Sequence, residues 1–168
     1  MANWTETDLT RQLNHATSSG WISFFEAAAQ QNNFDTEFLL AIASRETNLQ
    51  NIKGDFHDGA YHGFGIMQVD VGTDPAFCAG WTPDQVEASV QRGTQVLAGK
   101  RDSLAAKGIT DPKAIAAAYN TGQGNVIRSL ASGADPDRTT TGHDYGSDVI
   151  ARRDVFVKLR SMAAQSGA

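Results

Sequence analysis

The sequence predicts a mainly α fold in a single domain, with an irregular stretch near residues 48–75 that admits short strands. Three observations carry this. Apolar residues recur at helical spacing along most of the chain. Capping residues stand where those runs begin. The length of 168 residues suits one domain with a real apolar core and no metal or disulfide staple.

In chain order, residues 1–30 predict an N-terminal helical extension, in which Ile22, Phe25, Ala28 and Ala29 lie on one side of a helix over 20–32. Asp35 stands at an N-cap position before TEFLLAIASRE, whose stripe is Leu39, Ile42 and Ala43. From Asn48 to Pro75 the period is lost and glycine becomes frequent. Thr82-Pro83-Asp84-Gln85 reads as a capping box opening a helix that ends near Gly108, with Val86, Val90, Gly93, Leu97 and Leu104 on one face. Asp111-Pro112 opens an alanine-rich helix that stops at Thr121-Gly122, and a shorter helix runs from Gly124 to Ala131. Residues 132–143 form a loop by composition. The last helix begins near Asp144, carries Tyr145, Val149, Phe156, Leu159 and Met162, and ends in a small-residue tail.

Composition narrows the function. A net charge of −5 leaves no basic stripe for phosphates, which disfavours nucleic acid. The same charge favours a neutral polymer over an anionic surface. No run approaches a membrane span, and the N-terminus shows no signal peptide, so an extracellular target implies a removed leader, a phage holin or a secretion system. The single cysteine, Cys78, excludes an intramolecular disulfide and reads as a small buried hydrophobe beside Phe77 and Trp81.

The informative residue is Glu46. It follows Ile42 by four positions and Leu39 by seven, so it shares their side of the helix. A carboxyl at the end of a core-facing stripe is partly desolvated, which raises its pKa and suits a proton donor. The plainer alternative is a salt bridge to a nearby Arg. The next stretch, GDFHDGAYHGFGIMQVD, gathers Asp55, Asp58 and Asp70 with Gly63 and Gly65, which permit close approach of a backbone to a ligand. His57 and His62 flank Asp58 and offer zinc-ligand types, but in no standard zinc spacing, so no metal or other cofactor is expected. His15 and His143 look incidental, although His143 lies close to Tyr145.

Four blocks now point one way: IASRETN (42–48), GFGIMQVD (63–70), AAYNTGQGNV (117–126) and HDYGSDVIAR (143–152). In order and spacing the chain resembles goose-type lysozymes, relatives of the soluble lytic transglycosylases, from about residue 35 to 155. The resemblance implies a lysozyme-like fold with a sugar-binding cleft and Glu46 as general acid. It implies Asp70 as one of two water-holding aspartates. Counting from Glu46 without a gap puts Gly59 at the other position; a one-residue shift puts Asp58 there, and Asp55 is a further candidate. It places Gln68, Gly63 and Gly65 in the floor of the site, and Tyr119, Asn120 and Tyr145 as its lining. Tyr119 as core and Asn120 as a helix C-cap are the plainer alternatives.

The expected activity is inverting hydrolysis of β-1,4 bonds in peptidoglycan by a monomer acting on a cell wall. Chitin hydrolysis and lytic transglycosylation to an anhydromuramyl product are rivals of the same fold. A glycan-binding module without catalysis is a rival of another class.

Overall fold

The computed structural model describes residues 4–166; the ends of the N-terminal segment and of the small-residue tail lie outside it. Its helices are α1 (Glu6–Ser18), α2 (Ile22–Asn32), α3 (Thr36–Thr47), α4 (Pro75–Gly80), α5 (Val86–Ala105), α6 (Pro112–Thr121), α7 (Gln123–Ala131) and α8 (Tyr145–Ser166). One small antiparallel sheet, β1 (Lys53–His57), β2 (Ala60–Phe64) and β3 (Val69–Asp70), is ordered β1-β2-β3. The fold is mainly α and lysozyme-like. No described helix is long and apolar enough to cross a membrane.

Helix α1 begins at Thr5, whose side chain accepts from the Asp8 N–H while the Asp8 carboxylate accepts from the Thr5 N–H. This reciprocal cap satisfies two otherwise orphaned donors. Leu9, Leu13 and Ala16 recur at helical spacing and are buried, and α1 packs on α8. The N-terminal helices are therefore part of the core.

Helix α3 is the centre of the molecule. The sequence suggests a stripe, yet Phe38 through Ser44 are all buried. A helix apolar on every side is enclosed on every side, and α3 packs against both α2 and α8. Its cap also differs from expectation. Asp35 precedes the helix without a side-chain cap bond and instead pairs with Arg153 of α8. At the far end Asn48 and Leu49 are both left-handed, at φ 55° and 58°. Leu49 is fully buried, so its burial holds the chain as it leaves the helix after Thr47, one residue beyond Glu46.

Thr82–Gln85 forms the expected local turn, with the Thr82 N–H donating to Gln85 Oε1. Helix α5 nevertheless starts only at Val86 and ends at Ala105, short of Gly108. Its predicted face is buried throughout. Asp111 caps α6 through the Lys113 N–H as expected. The loop at 132–143 contains two 3-10 turns, Pro136–Thr139 and Thr141–His143. Met162 is 55% exposed, so the apolar face of α8 stops short of it. Helix α4 was not anticipated; Asp74 caps it through the Phe77 N–H.

Beneath the sheet Phe64, Val69, Cys78 and Trp81 form a second apolar cluster. Cys78 is buried there, and burial, the first cause, pushes its thiol up to about 11. Gly93 of α5 lies where a Cβ would come 2.5 Å from Met67 Cβ and 2.8 Å from its sulfur. Met67 is fully buried and has little room to yield. Gly93→Ala is expected to cost about 1–3 kcal/mol, read as a lower urea midpoint with an unchanged m-value.

Candidate active site

Glu46 occupies the last turn of α3 and is half-buried. Burial pushes its carboxyl up to about 7, even though a hydrogen bond from Tyr145 and the Arg45 charge act to lower it. Its partner is the Tyr145 hydroxyl, which donates to Oε1. The salt bridge weighed from the sequence forms elsewhere: Arg45 pairs with Asp144 at 3.1 Å and Asp148 at 3.0 Å. A carboxyl of this kind can hold a proton near neutral pH and pass it to an adjacent oxygen.

The tyrosines complete this wall. Tyr145 opens α8 and is 2% exposed. Tyr119 donates to the Met67 carbonyl at 2.8 Å and packs against the main core. Burial, then the Glu46 charge, raises both phenols well above their ordinary value, so both stay protonated donors. Asn120 is exposed; its Oδ1 accepts from the Thr141 N–H at 2.9 Å, tying α6 to the second 3-10 turn. His143 is exposed and bonds the Arg138 carbonyl at 2.7 Å.

The 63–70 segment faces this wall. Thr47 of α3 donates to the Ile66 carbonyl at 2.9 Å, which anchors the turn between β2 and β3. Gln68 Nε2 donates to the Ile52 and Gly65 carbonyls. The close approach that the glycines permit is to side chains of the protein. A Cβ at Gly63 would sit 2.4 Å from Gln68 Oε1, and one at Gly65 would sit 2.6 Å from Ser89 Oγ. Asp70 is exposed on β3 in register with Gly63, and its Oδ1 accepts from the Gly72 N–H. The half-buried Lys100 of α5 feels its charge, although burial is the larger influence and lowers the Lys100 pKa.

Asp55 and Asp58 lie on the β1–β2 hairpin. Asp58 and Gly59 both have positive φ, 51° and 79°, the signature of a two-residue type I′ turn. Asp58 is thus at the tip, with its side chain 93% exposed. Asp55 lies within β1, beside the Gly54·Gly63 rung. His57 sits between them, 3.6 Å from Asp55 and 3.2 Å from Asp58, with its ring stacked on His62 at 3.6 Å. Among the described residues no group of three or more His, Cys, Asp or Glu side chains is gathered to hold a metal ion.

Two concavities open on the surface. One, about 730 Å³, is lined by residues including Trp4, His15 and Asn48; the other, about 410 Å³, includes Arg92 and Lys100. Glu46 lines neither of these two.

The placement of Tyr145 depends on residues the sequence did not single out. Asp137, nearly fully buried, accepts from the Gly146 and Ser147 N–H groups at 2.6 and 2.9 Å. This caps the start of α8 and suits the positive end of its dipole. Asp148, one turn on, lies between Arg45 and Arg152 and accepts from the Trp4 indole at 2.6 Å.

A family model described as Lysozyme g matches residues 6–159. The chain belongs to the lysozyme g family. It is therefore a glycosidase, a lysozyme by relationship. It is 31% identical to lysozyme g of Takifugu rubripes over 160 residues, covering 89% of this chain and 80% of that one. It is 33% identical to lysozyme g of Epinephelus coioides over 129 residues and 32% identical to that of Cyprinus carpio over 127 residues. These alignments cover 70% and 73% of this chain, and 64% of each relative. The lysozyme g match begins in α1, well before the residue-35 start read from the motifs.

Proposed function

We propose that this chain, acting as one catalytic domain and as a monomer outside the cytoplasm, hydrolyses β-1,4 bonds between N-acetylmuramic acid and N-acetylglucosamine in peptidoglycan with inversion. Glu46 is the general acid. The observation that carries the reading is its raised carboxyl, at about 7, beside the Tyr145 hydroxyl.

In the reaction, Glu46 delivers its proton to the glycosidic oxygen as the bond from that oxygen to the anomeric carbon breaks. A water attacks the anomeric carbon from the opposite face and gives its proton to a carboxylate. Inverting enzymes hold their two carboxyl groups about 6.5–9.5 Å apart to leave room for this water. Asp70 is one water-holding group. Asp55 is preferred to Asp58 for the second, because it lies within β1, whereas Asp58 is at the hairpin tip with its side chain 93% exposed. Asp70→Asn and Asp55→Asn are each expected to lower kcat about 10²-fold or more, and Asp58→Asn to leave it within about threefold of wild type. The reverse ranking of Asp55 and Asp58 would reassign the pair.

The substrate test is product analysis on purified peptidoglycan and on chitin oligomers. Chitin is the second reading, favoured by the net charge of −5 against an anionic wall. The expected product is a reducing muramyl end released as the α-anomer. An anhydromuramyl end would establish transglycosylation instead. Turnover of chitin alone would change the substrate. No turnover of either by wild type would favour a binding module.

A further inference from the structure

The hairpin carries large apolar side chains in the open. Phe56 is 63% exposed and Tyr61 46%. Their rings meet edge to face, with centroids 4.9 Å apart and planes at 61°. They are register partners on β1 and β2, so the contact follows from strand pairing. Exposed paired aromatics amid polar residues mark a surface that meets something.

Strand alternation says which surface. Tyr61 and Gly63 are two residues apart on β2 and face the same way, separated by about 6.8 Å. Gln68 lies against Gly63 on that face, and Asp70 is the register partner of Gly63. The aromatic pair therefore continues the sheet face that carries Gln68 and Asp70, at the end away from β3. Glycan extending along this face from Asp70 meets an amide and then two rings. A pyranose offers a face of C–H groups that packs on an aromatic ring, and hydroxyls at its edge that bond amides. An exposed aromatic pair in line with an amide suits one sugar unit.

We infer that Phe56 and Tyr61 form a stacking platform for a sugar unit of the glycan chain remote from the scissile bond. The inference rests on the glycan-cleaving reading, but binding tests it separately. In the Glu46→Gln background, calorimetry would measure uncross-linked peptidoglycan strands of two, four and six sugars, with and without Tyr61→Ala or Phe56→Ala. Tyr61→Ala is expected to weaken the six-sugar strand about tenfold and to leave the shortest strand unchanged. Tyr61→Trp is expected to restore the long-strand affinity. Equal weakening at all lengths, no weakening at any length, or no strand binding by the parent would overturn the platform. So would a concentration-dependent dimer that Tyr61→Ala abolishes while glycan binding stays intact. If wild type cleaves nothing yet the length-dependent loss remains, the catalytic reading fails and the platform stands.

Discussion

Glu46→Gln is expected to lower kcat on peptidoglycan by about 10²–10⁴-fold with KM little changed. Glutamine has the same shape and still offers an oxygen to the Tyr145 hydroxyl, so the wall of the site is preserved. What it lacks is a proton acidic enough to transfer. The same substitution has a second effect of opposite sign. A free carboxyl titrates near 4.5 and this one at about 7. The native state therefore binds the proton more tightly than the unfolded chain. The stability this contributes is fully present below pH 4.5 and is lost as pH rises through about 7. The difference corresponds to about 3 kcal/mol in the alkaline range. Glu46→Gln, which cannot ionise, is expected to be more stable than wild type at pH 8 by up to that amount and equal to it at pH 4. Urea unfolding at both pH values checks this. A variant that loses activity and gains alkaline stability separates removal of a catalytic group from damage to the fold.

The other large effect falls on Asp148. Its carboxylate is 5% exposed and lies between Arg45 and Arg152 with the Trp4 indole donating to it. Burial alone raises its pKa, but Trp4, Arg152 and Arg45 together hold it below the usual carboxylate range. Truncation leaves the fully enclosed Arg152 without its acid, and breaking a buried pair in this way costs about 3–5 kcal/mol. Asp148→Ala is therefore expected to lower the unfolding free energy by that amount at pH 7. The loss shrinks as pH falls through the native Asp148 pKa, where wild type itself forfeits the interaction. The substitution also leaves Arg45, which stacks over the Tyr145 ring at 5.5 Å, with Asp144 in place of two acid partners. Unfolding by urea checks the magnitude. A change below about 1 kcal/mol would mean the cluster is a solvated surface network.

Much of the fold was legible because helix signals are local. Asp111-Pro112 and Thr121-Gly122 bracket α6 within a residue, since a cap and a glycine at positive φ act over one turn. Thr82–Gln85 misled for the same reason. Only half of the box forms, the Thr82 N–H donating to Gln85 Oε1 while the Thr82 hydroxyl donates to Asp84, and four residues of turn chemistry fit a helix start and a free-standing turn equally. Asp58-Gly59 is a strong hairpin signal in its own right, and it closes β1 onto β2.

In the site, the position of Glu46 was readable from its spacing to Leu39 and Ile42. The resemblance put Tyr145 in the lining but did not make it the partner of Glu46, which lies 99 residues away. Asp148, 103 residues from Arg45, and Asp137 left no periodic trace; a buried polar network has no sequence spacing. Gly63 and Gly65 were expected to let the backbone approach a ligand; what approaches them in the structure is Gln68 and Ser89 of the protein itself, which spacing does not reveal.

The most direct test is to follow the Glu46 side-chain carboxyl by carbon-13 NMR from pH 3 to pH 9 in selectively labelled protein, with Glu46→Gln supplying the assignment. A midpoint near 7 is expected. A midpoint near 4.5, the ordinary glutamate value, would mean the carboxyl gives up its proton well before neutral pH and is not the acid.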